Sequence, residues 1–170
     1  MAGRDDWIGA AVAALARDGA DGVKVEVLAR DMGVTKGSFY WHFSDRPALM
    51  SAVLERWEAG AVAELKAAAA LGGPEERVGA LLRSLARPAT GISDAEVFAW
   101  ARRDRGVAER AWEVERARVV FLKSQLAEMG ASLVDAHRRA EAGYLAAVAW
   151  LERAGRTPWM KSDYAAFVSD

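Results

Sequence analysis

The sequence has 170 residues, of which 52% are hydrophobic and 28% charged, and its formal net charge is −1. This composition is typical of a globular protein rather than a disordered chain, and the lack of cysteine excludes disulfides and cysteine-ligated metal sites. No apolar run reaches the roughly 18 residues of a membrane span, and the acidic N-terminal stretch lacks the regions of a secretory signal, so we expect a cytoplasmic protein.

Capping signals and helix breakers divide the chain into predicted helices. Nothing is typical of strands, because β-branched runs are short and alanine is abundant. The clearest helix starts are Asp45 as an N-cap, Pro74 at a first helical position, the capping box Ser93–Glu96, and Thr157 before Pro158. The predicted helices cover about residues 5–17, 25–32, 36–43, 45–70, 74 onward, 93–100, 107–129, 133–154 and 157–168. The sequence therefore predicts an all-α protein of about nine helices.

The third predicted helix carries a run of aromatic residues that cannot all face one way. At 100° per residue, Phe39 and Phe43 lie within about 40° of each other, so we expect them to anchor the helix while Trp41 faces outward. The outward surface comprises Lys36, Ser38, Tyr40, Trp41 and His42. Its hydrogen-bond donors and flat apolar area suit a DNA backbone and major-groove base edges, and Gly37 allows close approach to a phosphate. The alternative is an ordinary αα-hairpin with an exposed tryptophan.

The charge balance neither favours nor excludes nucleic acid as a partner. The first 50 residues contain six basic and seven acidic side chains, so this part of the chain is not globally basic. A DNA-binding interpretation must therefore rest on the local placement of cations.

The stretch VEVLARDMGVTKGSFYWHFSDRPALM, residues 25–50, resembles the DNA-binding region of the TetR family of bacterial transcriptional regulators. The shared pattern is a short helix with Leu-Ala, then Gly-Val-Thr, a glycine-led recognition helix, Tyr-x-His-Phe and a basic residue three positions further on. The resemblance covers about residues 5–55 at the level of motifs and extends beyond them only to the helical layout. It implies a three-helix helix-turn-helix DNA-binding domain over residues 1–46. A helical bundle for ligand binding and dimerisation would follow over residues 47–170.

The resemblance also implies which residues meet DNA. The implied DNA-binding residues are Lys24, Thr35, Lys36, Gly37, Ser38, Tyr40, Trp41, His42 and Arg46. In such proteins the residues at positions 36, 40, 42 and 46 mostly hold phosphates, whereas residues 35–38 and Trp41 approach the bases.

Two positions depart from the family pattern. Arg46 stands where the family usually has lysine, and it keeps the charge and can grip a phosphate bidentately. Val25 stands where a threonine or serine often caps the second helix and touches phosphate, so that contact is lost or is replaced by Lys24 and backbone amides. Glu26 is expected to complement the helix dipole, although reading a cytosine is an alternative.

The helix predicted over residues 133–154 is apolar on two sides, and both sides must be buried. One side can meet its own domain and the other a partner chain, which resembles the four-helix dimer interface of the family. The predicted interface residues are Leu133, His137, Ala140, Gly143, Tyr144, Ala147, Trp150 and Leu151. The alternative is a wholly intramolecular core helix.

Seven tryptophans are many for a chain of this length. Some aromatic residues either line a pocket for a small apolar or aromatic effector or fill a plain core. The candidate pocket residues are Trp57, Phe98, Trp100, Trp112, Phe121 and Tyr144.

Catalysis has little support in the sequence. The two histidines are far apart, and no phosphate-binding loop, metal-ligand spacing or nucleophile elbow is present, so we expect neither an enzyme nor a cofactor. The expected function is a ligand-responsive repressor that binds double-stranded DNA, at a near-palindromic operator, as a homodimer. The alternative is a helical protein-interaction domain whose N-terminal region no longer binds DNA.

Overall fold

The computed structural model describes residues 2–156, and all regular structure within them is helical. A 3₁₀ turn over Ala20–Gly22 joins the first two helices. The helices are α1 (Arg4–Asp18), α2 (Val25–Asp31), α3 (Lys36–Phe39), α4 (Arg46–Ala69), α5 (Pro74–Ala86), α6 (Asp94–Ala101), α7 (Arg105–Glu128) and α8 (Leu133–Arg156). The all-α prediction is confirmed, and the ninth predicted helix lies outside the described residues. None of these eight helices is long and apolar enough to cross a membrane.

Three of the four predicted helix starts lie in the described residues and are confirmed, whereas Thr157 lies outside them. The Asp45 carboxylate accepts a hydrogen bond from the Ala48 amide at 2.8 Å, and Pro74 is the first residue of α5. Ser93 and Glu96 form the reciprocal capping box, in which the Ser93 amide donates to the Glu96 carboxylate at 2.6 Å. Because such caps satisfy amides that have no partner inside the helix, they fix where α4 and α6 begin.

The third helix is shorter than predicted. It ends at Phe39, and residues 40–42 form a turn in which the amides of His42 and Phe43 both donate to the Phe39 carbonyl, at 2.9 and 3.0 Å. The chain must reverse within a few residues because Asp45 already caps α4. Phe39 and Phe43 are nevertheless both buried, with ring centroids 5.5 Å apart, as the aromatic pattern predicts.

The larger hydrophobic cluster joins the first four helices to α6 and the beginning of α7. Trp7 packs edge-on against Phe39 with 5.2 Å between the ring centroids, and both rings are fully buried. Ile92 and Val97 belong to the same cluster although they follow the predicted boundary at residue 46. The division into residues 1–46 and 47–170 is therefore not a division of the core, and it stays a prediction about function.

A second cluster joins the end of α4 to α5, α7 and α8, and it settles which side of α8 faces inward. Tyr144 and Ala140 are both buried against Leu81 and Leu122 within one chain. Their prediction as interface residues is wrong, because neither side chain has surface left for a partner. The seven-residue pattern was correct as a stripe, but from Ala140 onward it is the inward-facing stripe.

The other predicted interface residues divide between the two sides of α8. Ala147 and Leu151 are half-buried on the second cluster. Leu133, His137 and Gly143 are exposed. Trp150 is half-buried as well. The structure of one chain therefore leaves only part of the predicted interface available to another molecule.

Candidate nucleic-acid interface

The turn between α2 and α3 brings two short helices together at the surface. Gly33 has a φ of +67°, in the left-handed region that residues with a side chain rarely adopt. The amide of Val34 donates to the Ala29 carbonyl at 2.9 Å, and the small Ala29 side chain is buried at the crossing. This geometry presents the residues of α3 and the following turn on the outside of the molecule.

The aromatic side chains after α3 point outward. Trp41 is 87% exposed and Tyr40 is 56% exposed, which confirms that these rings do not join the core. Moving an aromatic side chain out of water is favourable by about 1.5–3 kcal/mol. A partner that covers these two neighbouring exposed rings would therefore bind more tightly.

Lys36 is paired with Glu26 of α2 in an exposed ion pair. The hydrogen bond with Lys36 lowers the pKa of Glu26. The same hydrogen bond raises the pKa of Lys36, and Tyr40 adds to the effect. Glu26 was expected to complement the helix dipole, and the structure shows that its carboxylate also holds the Lys36 ammonium.

The start of α3 leaves its backbone accessible. Thr35 is the N-cap residue and makes no side-chain cap, whereas the Ser38 hydroxyl donates to the Thr35 carbonyl at 2.8 Å. The Ser38 oxygen can therefore accept from a base but its proton is already used. A Cβ atom on Gly37 would meet only the Thr35 Oγ1 at 3.8 Å, an ordinary contact. Packing within the chain therefore does not require glycine at position 37.

His42 and Lys24 differ in how free they are. The His42 Nε2 lies 3.0 Å from the Ala2 carbonyl oxygen, so this nitrogen carries the proton and donates it to the segment before α1. Lys24 is exposed at the N-cap position of α2, where no side chain caps the helix. Lys24 is thus available to a phosphate, whereas His42 already ties the end of the recognition segment to the start of the chain.

Arg46 does not stand free as a phosphate-binding side chain. Its Nε donates to the Val23 carbonyl at 2.6 Å, and its Nη2 donates to the Ala20 carbonyl. The side chain is half-buried between the start of α4 and the connection from α1 to α2. The side-on edge of the guanidinium, formed by Nε and Nη2, is therefore not available to a phosphate in this conformation, because it faces the backbone.

The structure does not bring the six candidate pocket residues around one cavity. Trp57, Phe98 and Trp100 pack in or against the first cluster, and Phe121 and Tyr144 pack in or against the second. Trp112 is 56% exposed, with the Arg116 guanidinium 5.4 Å from its ring centroid. These aromatic residues largely fill the core, as the alternative interpretation held.

Two clefts lie elsewhere in the described part of the chain. One of about 570 Å³ is an open depression beside α1, bordered among others by Asp5, Ala10 and Met32. The other, of about 360 Å³, lies at the turn between α7 and α8, next to Met129 and Arg139. Neither cleft is lined by a candidate pocket residue.

A buried polar cluster, which the sequence did not reveal, occupies the place where α4, α6, α7 and α8 meet. Arg118 donates to the Asp94 carboxylate at 2.6 Å and to the Glu64 carboxylate at 3.1 Å. The Trp57 indole donates to Asp94 at 3.0 Å, and the Tyr144 hydroxyl donates to it at 3.4 Å. No spacing along the chain signals this cluster, because its members come from four separate helices.

The last two helices of the described residues also expose apolar side chains, and α8 was predicted to be apolar on two sides. Leu145 of α8 is 57% exposed, and Val120 of α7 is 58% exposed. Four exposed residues near it on α8 are small, namely Ala142, Gly143, Ala146 and Ala149, whereas Glu141, one turn before Leu145, is exposed and charged. Ala142, Ala146 and Ala149 recur at spacings of four and three residues, so part of this side of α8 is visible in the sequence beside the heptad-like stripe.

Comparisons with known sequences and with solved structures point to the same group of proteins. Residues 8–53 match the family model of the bacterial regulatory proteins of the tetR family. A TetR transcriptional regulator from Legionella pneumophila has a TM-score of 0.80 at 13% identity, covering 99% of this chain and 94% of that chain. A transcriptional regulator from Rhodococcus sp. Rha1 has a TM-score of 0.76 at 20% identity, with coverages of 94% and 87%.

The fatty acid degradation regulator FadR from Bacillus halodurans is similar over 99% of this chain and 93% of that chain, with a TM-score of 0.71 at 18% identity. No curated protein is significantly similar in sequence. Residues 8–53 thus match the tetR family model, and the described chain has the fold of the TetR-family transcriptional regulators.

Proposed function

We propose that the protein is a transcriptional repressor that binds a near-palindromic DNA operator as a homodimer and is released from it by a small apolar or aromatic effector. The observation that carries the DNA-binding part is the outward presentation of Tyr40 and Trp41 beside exposed Lys24, Lys36 and the open backbone at Gly37. Flat rings, cations and accessible amides are the groups that contact phosphates and base edges. These residues therefore form the proposed DNA-reading surface.

The exposed face of the last two helices supports the homodimer. Small residues on α8 would let an identical helix approach closely, and Leu145 and Val120 would be removed from water. A twofold dimer uses the same patch on both subunits, so a face with exposed small and apolar residues suits it. Two subunits would then place their α3 segments one DNA turn apart, about 34–36 Å.

The effector site is proposed near Trp57 of α4 and Trp100 of α6. Trp57 is closed off in the core, whereas Trp100 is half-buried, so an effector would have to open the packing at Trp100. Neither of the two clefts described above reaches these rings. That observation favours a second candidate, a constitutive DNA binder without ligand control.

The proposal can be tested with the purified protein, because its preferred duplex can be selected from a pool of random DNA sequences. Enrichment of a twofold-symmetric sequence supports the proposal, and failure to enrich any sequence favours a helical protein-interaction domain instead. Tyr40→Ala should then weaken binding to all duplexes alike, whereas Ser38→Ala should mainly change the sequence preference. Equal losses on every sequence from both variants would contradict the base-reading role of Ser38.

Ligand control is tested separately, by screening apolar and aromatic compounds for release of the selected duplex. Trp100→Ala should change the concentration of compound needed for release more than it changes DNA affinity. If no compound releases the duplex and Trp100→Ala alters only thermal stability, the constitutive binder is the better description.

A further inference from the structure

The side chain of Arg46 forms hydrogen bonds with the backbone of the connection between α1 and α2. Its two bonded nitrogens donate to the carbonyls of Ala20, the first residue of the 3₁₀ turn, and Val23, the residue just after it. Arg46 itself is the first residue of α4. One guanidinium therefore joins the start of α4 to the segment that sets where α2 begins.

The start of α2 has few other polar restraints. Its N-cap residue, Lys24, makes no side-chain hydrogen bond to the helix, although such a cap normally fixes a helix start. Val23 and Val25 are both buried, so the connection runs partly through the interior, where carbonyl oxygens need donors. Arg46 supplies charged donors, which make stronger hydrogen bonds than neutral groups do.

A second arginine reaches the same turn but holds it more weakly. Arg103, just after α6, pairs with Asp21 at 2.7 Å. Both side chains are largely exposed, and exposed ion pairs contribute little to stability. Arg46 is half-buried and bonded to backbone, so of the two it is the one that restrains the turn.

We propose that Arg46 is a positioning residue for DNA binding: it clamps the α1–α2 connection to the start of α4 and thereby sets the orientation of α2 and α3, without contacting a phosphate. The backbone carbonyls occupy the Nε–Nη2 edge, so the side-on bidentate contact with a phosphate is closed to Arg46 in this conformation. This inference rests on the proposed function and changes the role given to Arg46 within it.

The salt dependence of DNA affinity separates a clamp from a phosphate contact. Each phosphate contact contributes about 0.9 to the slope of log affinity against log salt concentration. We expect Arg46→Met to weaken binding to the selected duplex by about tenfold with the same slope as the control Arg30→Met, which removes an equal charge from an exposed position on α2. Arg46→Lys should weaken binding nearly as much, because one ammonium cannot reproduce the two-pronged contact.

The opposite pattern would overturn the proposal. If Arg46→Lys keeps wild-type affinity and Arg46→Met lowers the slope by about 0.9 per subunit relative to Arg30→Met, Arg46 holds a phosphate.

Hydrogen exchange of the DNA-free protein provides a second measurement that does not depend on operator binding. The amides of Val23 and Leu28 donate to the carbonyls of Ala20 and Lys24, across the turn and the first turn of α2. In Arg46→Met, peptides covering residues 18–28 should exchange about tenfold faster, while those of α8 stay unchanged. If exchange rises throughout the chain, Arg46→Lys is compared instead. If exchange over residues 18–28 is unchanged in Arg46→Met, the clamp is refuted. If exchange there rises as expected but the protein selects no DNA sequence, only the proposed function is refuted.

Discussion

Arg118 and Asp94 form an ion pair in the interior, with 2.6 Å between Nη1 and Oδ2. Burial disfavours the charged guanidinium, but the Asp94 carboxylate outweighs that penalty and raises the pKa of Arg118. Burial also raises the pKa of Tyr144, whose hydroxyl therefore stays protonated as a donor to Asp94. The Nε of Arg118 has no partner within residues 2–156, so the cluster is not fully satisfied.

Removing Asp94 should be costly because it leaves Arg118 buried with only the Glu64 carboxylate as a counter-charge. Breaking a buried pair from one side costs about 3–5 kcal/mol, and for a chain of this length each kcal/mol lowers the Tm by about 2–4 °C. We therefore expect Asp94→Ala to lower the Tm by about 6–20 °C in thermal unfolding followed by circular dichroism. Asp104→Ala, which removes the exposed cap of α7, is the matched control and should cost about 1 kcal/mol. Equal losses would mean that the buried pair contributes no more than a helix cap.

Glu26→Gln should strengthen DNA binding. The variant releases Lys36 and removes a negative charge from the surface proposed to meet phosphates, so we expect several-fold higher affinity and a steeper salt dependence. Because the pKa of Glu26 is lowered, the pair is ionised at neutral pH; its contribution to stability is present above the ordinary pKa of a glutamate and is lost as the pH falls through the lowered value. Fluorescence anisotropy of a labelled duplex at pH 7 measures the change. Weaker binding by the variant would indicate that Glu26 itself reads a base.

Gly37→Ala should separate folding from DNA binding. A Cβ atom there meets only ordinary contacts within the chain, so the Tm should stay the same or rise slightly. Affinity for the selected duplex should nevertheless fall by about tenfold or more, because the added methyl group keeps the α3 backbone from the phosphate. Gly9→Ala on α1, where nothing lies within 4 Å of the new atom, is the control and should leave affinity unchanged. An equal affinity for Gly37→Ala would remove the close backbone approach from the proposal.

Leu145→Asp should prevent dimer formation. The substitution puts a charge at the centre of the exposed small-residue face, where it would be buried twice in a symmetric interface. We expect a monomer in light scattering at micromolar concentration and at least a hundredfold loss of operator affinity. Val62→Asp changes an equally exposed apolar residue on α4 and should leave the dimer intact. A Leu145→Asp protein that remains dimeric would place the interface on another face.

Local features of the sequence were predictable because their causes are local. Asp45 and the Ser93–Glu96 box act through hydrogen bonds within a few residues, and the structure has both as expected. The outward direction of Trp41 followed from the burial of Phe39, since one short helix can turn only one side inward.

Features that depend on distant partners were not predictable in the same way. Arg46 looked free for DNA because its acceptors are carbonyls more than 20 residues earlier, and carbonyls carry no residue identity that a sequence could reveal. Tyr144 was assigned to a partner chain. Its inward position depends on Asp94 and Arg118, which lie 50 and 26 residues away, so the sequence pattern did not reveal it. Periodicity finds a stripe on a helix but does not say what the stripe meets.

The larger hydrophobic cluster, which Trp7 shares with Ile92 and Val97, also constrains how the protein is made. On the ribosome, the residues proposed to read DNA emerge first, yet the apolar surface that steadies them is completed only when α6 and the start of α7 have been synthesised. A nascent chain that ends before residue 92 would carry the whole recognition motif on an unfinished core. Competence to bind an operator would therefore arise late in translation, and a prematurely terminated product would be a substrate for proteases rather than a competing DNA binder.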